Sequence, residues 1–416
     1  MAPHGGMDRA EVSRFGGARV LAVLASMTLA GCAGTGARPV LNYCIGTQTF
    51  SPKYHHTEKT RLVETAQAMV DMGSNTLKFE AGSSAMGAYH LPANPDIKTL
   101  KDLFALDPSY QAVLAMPFDY YLVWAYPFGT AKSCRDAWTE EDRQREYKEI
   151  YDLTRYLLEK FSGTGKTFLL GHWEGDWVLL GGYDISAEPR PEAVTGMIDW
   201  LNLRQKAVDD ALRDTPHHNV HLFHYTELNL VQKAIAGRTT VCNSVLPHTN
   251  VDMVSYSSYD SLDLTQGAPA MRDRLKIALD YIAAKLPPKD LDWNAPRVFI
   301  GEYGFPIRQV KTPNAQEAAA REVIRAGLAW GCPFILYWEM YDNEMEEGSE
   351  KTSGFWMIDN HGVIQPVYRL HQQCLARGRE WRTLFQRAHL RPPTHAEYCH
   401  AAVQWLDEAG QSAYKE

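Results

Sequence analysis

Apolar and polar positions along this chain alternate between two textures. Eight short runs rich in β-branched, aromatic and leucine residues fall at 41–50, 75–79, 120–126, 167–173, 220–225, 251–256, 298–303 and 334–338. Each is closed by glycine, proline or polar residues and reads as a strand buried on both faces. Longer stretches with helical spacing lie between them. Leu62, Val63, Ala66, Met69 and Val70 form one apolar stripe, stopped by Gly73. Thr139 followed by acidic residues predicts a helix start, with Ile150, Leu153, Leu157 and Phe161 on its buried face. Asn314 with Glu317 reads as a capping box ahead of Val323, Ile324, Leu328 and Trp330, and Gly331 sits where a C-terminal cap belongs. Eight strand–helix units in succession predict an α/β fold of the (β/α)8 TIM-barrel type with extra C-terminal helices. A doubly wound sheet would stop sooner and carry a glycine-rich turn after its first strand, where this chain has Thr47-Gln-Thr-Phe50.

Two regions exceed a minimal barrel. The connection 81–119, with Pro92, Pro95 and Pro108, is expected to hold short helices above the barrel mouth, and the tail beyond 375 carries amphipathic segments at 381–390 and 396–406. The division that follows is a leader at 1–31, a tether at 32–39, a barrel at 40–375 and a helical extension at 376–416.

The N-terminus supports the first two parts. Arg9, Arg14 and Arg19 precede an apolar run from Val20 to Gly31 that is short for a bilayer span and has the charge layout of a secretory signal. The closing Leu29-Ala30-Gly31-Cys32 resembles a bacterial lipobox, which implies acylation of Cys32 and an exported, membrane-anchored protein of the cell envelope. Of the 416 residues 45% are hydrophobic and 22% charged, enough to bury a large core. A formal net charge of -8 without a basic run argues against a nucleic-acid partner. Besides Cys32 there are Cys44, Cys134, Cys242, Cys332, Cys374 and Cys399; export permits disulfides, and Cys374 with Cys399 is the favoured pair. No CxxC or His/Cys cluster suggests a metal, His55-His56 and His217-His218 read as surface residues, and no cofactor is implied.

Candidate chemistry gathers at strand ends, which converge on one face of a barrel. The fourth predicted strand runs out as Phe168-Leu-Leu-Gly-His-Trp-Glu174-Gly-Asp-Trp177, and the seventh as Arg297-Val-Phe-Ile-Gly-Glu302-Tyr-Gly-Phe-Pro306. Strands four and seven face each other across a small barrel, so Glu174 and Glu302 can flank a glycosidic bond, one protonating the leaving oxygen and one attacking the anomeric carbon. Asp176, Glu227 and Glu339 are competing carboxylates. Trp124, Trp173, Trp177, Tyr256 and Trp338 stand at the same predicted lip, where aromatic faces stack on sugar rings.

In strand order and in these strand-end residues the chain, from 41 to 372, resembles the clan of retaining glycoside hydrolases that includes cellulases, mannanases and β-glycosidases. The resemblance implies Glu174 as acid/base, Glu302 as nucleophile, Tyr256 as the nucleophile's hydrogen-bond partner and Trp338 as a stacking floor. The clan's Asn before the acid/base is Trp173 here, and for its strand-two arginine the nearest cation is Lys78. His172, His224 or Asn229 could supply the missing sugar contact. The implied activity is cleavage of β-linked glycans or oligosaccharides. A lipoprotein that binds glycans without cutting them, and a metal-dependent hydrolase built on Asp176 or His172, are the other readings.

Overall fold

The structure, a computed structural model, describes residues 41–129, 135, 138–345 and 350–413. The leader, the tether, Cys32 and Cys134 lie outside the described residues.

Eight parallel strands close a barrel in sequence order: β1 (Ile45–Thr49), β2 (Thr76–Ala81), β3 (Tyr120–Ala125), β4 (Thr167–Gly171), β5 (His221–Leu228), β6 (Met253–Ser257), β7 (Val298–Tyr303) and β8 (Ile335–Tyr337). The seam closes with Ile45 opposite Ile335 and Thr47 opposite Tyr337. Every expected run coincides with a strand, β2, β5 and β6 extending one to three residues beyond the expected ends, so the (β/α)8 architecture is the one observed. Period-two alternation then sorts the side chains. In β3, Tyr120, Leu122 and Trp124 fill the barrel interior together with Leu169, Phe223 and Phe299, while Tyr121, Val123 and Ala125 face the surrounding helices.

The helices follow in chain order as α1 (Arg61–Met72), α2 (Ser83–Ala88), α3 (Leu100–Leu106), α4 (Pro108–Ala115), α5 (Glu140–Phe161), α6 (Gly175–Leu180), α7 (Pro191–Asp214), α8 (Val231–Ile235), α9 (Ala268–Lys285), α10 (Ile307–Val310), α11 (Pro313–Trp330), α12 (Pro366–His389) and α13 (His395–Ala413). Thr139 caps α5 in a capping box with Asp142, and Gly73 and Gly331 end α1 and α11 in the left-handed conformation that glycine adopts without penalty. Among the described residues no helix is long and apolar enough to cross a membrane.

Four expectations are corrected. Helix α11 starts two residues earlier than expected, because Thr312 accepts the Ala315 amide and Pro313 pre-sets the first turn. The 81–119 connection holds short helices as expected, but two of them lie in the outer ring instead of above the mouth, α4 packing on α1 and α3 on α5. The boundary at 375/376 falls inside α12, whose apolar stripe carries Val367, Leu370 and Leu375 into the core without interruption, and α13 packs on α11 and α12. Finally, Cys374 and Cys399 are not bonded, and the Cys399 sulfur instead faces Cys44.

Candidate active site

Beyond the C-terminal end of β4 the chain turns through Trp173 and Glu174 into α6. The turn is held by Asp176, whose carboxylate accepts the amides of Asn229, Leu230 and Val241 at 2.8 to 3.1 Å. Three hydrogen bonds to a buried carboxylate make Asp176 a clamp between α6 and the segment after β5, which removes it from the competing catalytic candidates. His172 is likewise spent: its ring nitrogens meet the Trp173 carbonyl and Thr226 Oγ1, both at 2.8 Å, outside the barrel.

Glu174 and Glu302 are both buried and meet at one side chain, Ser257 at the end of β6. The Ser257 hydroxyl makes a short hydrogen bond with Glu174 Oε1 and lies 3.3 Å from Glu302 Oε2. Two carboxyl oxygens joined through one hydroxyl cannot be farther apart than two hydrogen bonds laid end to end. A register shift between β6 and β7 after Tyr256 sets Ser257 level with Glu302.

Beneath this pair lies a buried cation. Lys78 of β2 reaches Glu227 Oε2 at 2.7 Å, the Gly301 carbonyl at 3.1 Å and Glu302 Oε1 at 3.4 Å, with its ammonium 4.8 Å from the Trp124 ring centre. Glu227 also accepts Ser255 Oγ at 2.6 Å and, through its other oxygen, the Glu174 amide at 3.3 Å. Gly301 makes room for this network, since a Cβ there would overlap Ser255 Oγ at 1.7 Å. One ammonium thus contacts two buried carboxyl groups, Glu227 and Glu302, with Glu174 joined to the network through its amide and Ser257. Burial raises Glu174 to about 7, helped by the charge of Glu227 and opposed by the Ser257 hydrogen bond. Burial also raises Glu302, with the adjacent Lys78 ammonium opposing.

A cleft of about 550 Å³ opens over the pair, lined by Trp173, Trp177, Trp338, Tyr259 and Phe355 among others. Of the aromatic residues expected at the lip, Trp173, Trp177 and Trp338 line this cleft. Trp124 lies below it, stacked on Phe50 at 3.6 Å. Tyr256 does not reach Glu302: it points outward from β6, where its hydroxyl bonds Asp260 and Ser261, because alternation gives the inward positions to Ser255 and Ser257. His224 is also outward-facing on β5, buried, with neither ring nitrogen hydrogen-bonded, and does not meet the cleft. Asn229 does, with a buried side-chain oxygen left without a partner. Glu339, joined to Trp338 by a cis peptide, is buried at β8 with Oε2 accepting the Phe50 amide at 3.0 Å and does not line the cleft. Sequence reasoning missed Ser257, since nothing in Met253-Val-Ser-Tyr-Ser257 reveals where the register shifts.

No family model and no curated protein sequence matches this chain. Solved structures do resemble it. A GH5_18 protein from Streptomyces cattleya, in complex with Manb1-4GlcNAc, superposes with a TM-score of 0.54 at 14% identity, covering 89% of this chain and 92% of its own. A GH5_18 protein from Bifidobacterium longum subsp. longum with the same ligand gives 0.52 at 14% identity over 80% and 78%. The exo-beta-1,4-mannosidase Op5Man5 from an Opitutaceae bacterium gives 0.51 at 11% identity over 83% and 60%. At these identities the likeness is one of fold, and that fold is the (β/α)8 barrel.

Proposed function

We propose that this protein is a retaining glycoside hydrolase acting on β-linked glycans or oligosaccharides. The observation that carries the reading is the meeting of Glu174 and Glu302 at Ser257 under an aromatic cleft. A separation of two hydrogen bonds suits a nucleophile and an acid facing one anomeric carbon at about 5 Å, and leaves no room for the water that an inverting pair of about 6.5 to 9.5 Å must hold. Glu174, with its proton retained to about pH 7, donates to the glycosidic oxygen as the bond to the anomeric carbon breaks. Glu302, raised by burial but drawn toward its ionised form by the adjacent Lys78 ammonium, attacks that carbon as the carboxylate, forming a covalent glycosyl intermediate. Glu174, now ionised, takes a proton from water, whose oxygen displaces Glu302. Trp173, Trp177 and Trp338 stack on the sugar rings. The chemistry asks for no metal or organic cofactor.

The test is turnover of aryl β-glycosides, including β-mannosides, and of a panel of polysaccharides and Manb1-4GlcNAc by the soluble chain beginning after Cys32. Glu302→Gln and Glu174→Gln should each cut kcat by about 100-fold or more, with azide rescuing only the Glu174 variant on activated substrates. A chain that binds these glycans yet turns over none of them would instead be a glycan-binding lipoprotein.

The lipobox pattern supports, by sequence alone, a proposal of export and lipid anchoring through Cys32. Fatty-acid labelling that vanishes in Cys32→Ala is the expected result.

A further inference from the structure

At the face of the barrel opposite the cleft, two segments far apart in the chain are locked side by side. Tyr43 and Tyr398 pack edge to face with ring centres 5.9 Å apart, and the Tyr398 hydroxyl donates to the Tyr43 carbonyl at 3.0 Å. The next residue of each segment is a cysteine. Cys44 and Cys399 are both buried, and their sulfurs lie 3.9 Å apart across 355 positions of sequence. Cys44 also has φ of 61°, in the left-handed region that side chains other than glycine seldom occupy, and its carbonyl accepts the Ile335 amide at 2.7 Å on the β1–β8 seam. His395, one turn before Cys399 on α13, places Nε2 3.4 Å from the Cys399 sulfur.

We infer that Cys44 and Cys399 form a disulfide that staples α13 to the seam where the barrel closes. A metal held by the same two sulfurs and His395 is the competing occupant, and the histidine argues against it. Its Nε2 lies 2.8 Å from the Gly331 carbonyl, which can only accept, so that nitrogen keeps its proton and has no lone pair for an ion. Two sulfurs alone are too few for a structural zinc. The Cys399 thiol is lowered to about 6, first by its hydrogen bond with Cys44 and further by His395, against burial, whereas burial raises Cys44. Cys399 is therefore the attacking sulfur. Its thiolate attacks a small-molecule disulfide such as glutathione disulfide, releasing one glutathione thiolate and leaving a mixed disulfide, and Cys44, passing its proton to a released thiolate, then attacks the mixed disulfide and displaces the second. Two electrons pass from the protein sulfurs to the oxidant, and two glutathione thiols leave.

The experiment treats the full chain with oxidised glutathione at mildly alkaline pH, alkylates it in denaturant and maps peptides without reduction. The expected product is a Cys44–Cys399 linked peptide, with an unfolding midpoint roughly 5 to 10 °C above that of the same protein in reductant, because the cross-link closes a loop spanning almost the whole domain. Cys44→Ser and Cys399→Ser should each lose the linked peptide and the reductant-sensitive shift. If either variant fails to fold, the wild-type comparison with and without reductant decides. Recovery of Cys44 or Cys399 as a free or glutathione-capped thiol, or linked to another cysteine, would overturn the inference. So would a bound metal whose removal by chelator exposes both thiols.

Discussion

Ser257 and Glu227 pull the proton on Glu174 in opposite directions. The Ser257 hydrogen bond favours the ionised carboxylate, while the nearby charge of Glu227 disfavours it. A general acid must be protonated to act, so activity should fall as pH rises through the Glu174 value of about 7. Ser257→Ala removes a lowering influence and should move this alkaline limb of kcat/KM to higher pH, with kcat reduced about 10- to 100-fold through loss of a hydrogen bond to a charged group. Glu227→Gln removes a raising influence and should move the limb to lower pH. A pH profile of both variants beside the parent reads the effect, and limbs that shift together or not at all would sink the assignment of Glu174 as the acid. Ser257 also shows what one residue of register decides: its neighbour Tyr256, larger and more suggestive on the page, faces the other side of the strand.

At the scale of elements, α7 carries the residue that holds the site's walls. Arg204 is fully buried; it pairs with Glu146 of α5 at 3.0 Å and donates to the carbonyls of Ala125 and Gly171 at 2.9 and 3.0 Å, the last residues of β3 and β4. One guanidinium thus fixes two strand ends and two helices just below the turn that presents Glu174. Arg204→Leu leaves the Glu146 carboxylate buried with only Trp200 Nε1 at 2.8 Å to satisfy it. A loss of about 3 to 5 kcal/mol in urea unfolding is expected, against a fraction of that for exposed pairs on the same helices such as Arg155 with Glu159. The pattern that gave α5 in sequence, an apolar stripe behind the Thr139 cap, could not give this contact. A buried arginine looks like any other polar position until the helix is docked.

For the whole molecule, closure of the barrel buries acid groups far from solvent. Glu339 at the end of β8 ties β1 through the Phe50 amide while its other oxygen has no partner, and burial holds it well above the ordinary carboxyl range. Above pH 4.5, the ordinary value, the folded protein therefore keeps a proton that the unfolded chain releases, so this group makes stability fall as pH rises. The slope is about 1.4 kcal/mol per pH unit until Glu339 itself ionises. Glu339→Gln keeps the shape and the acceptor without the titration. Its melting temperature relative to the parent should rise steadily from pH 5 to pH 8, and an advantage independent of pH would count against a protonated Glu339 in the fold.

Local pattern determined the elements. Eight apolar runs, the Thr139 cap and the glycine stops at Gly73 and Gly331 were legible because strand and helix periods, and the backbone freedom of glycine, are properties of neighbouring residues. Glu174 and Glu302 could be named because a barrel of fixed strand order brings its fourth and seventh strand ends to one face whatever the rest of the sequence. Tertiary structure alone decided the rest. Which of Tyr256 and Ser257 faces Glu302, that His224 points away, that Lys78 bridges Glu227 and Glu302, and that Cys399 meets Cys44 all depend on inter-strand register and helix docking. These are set by the sum of packing contacts over hundreds of residues, and no short stretch of sequence carries that sum.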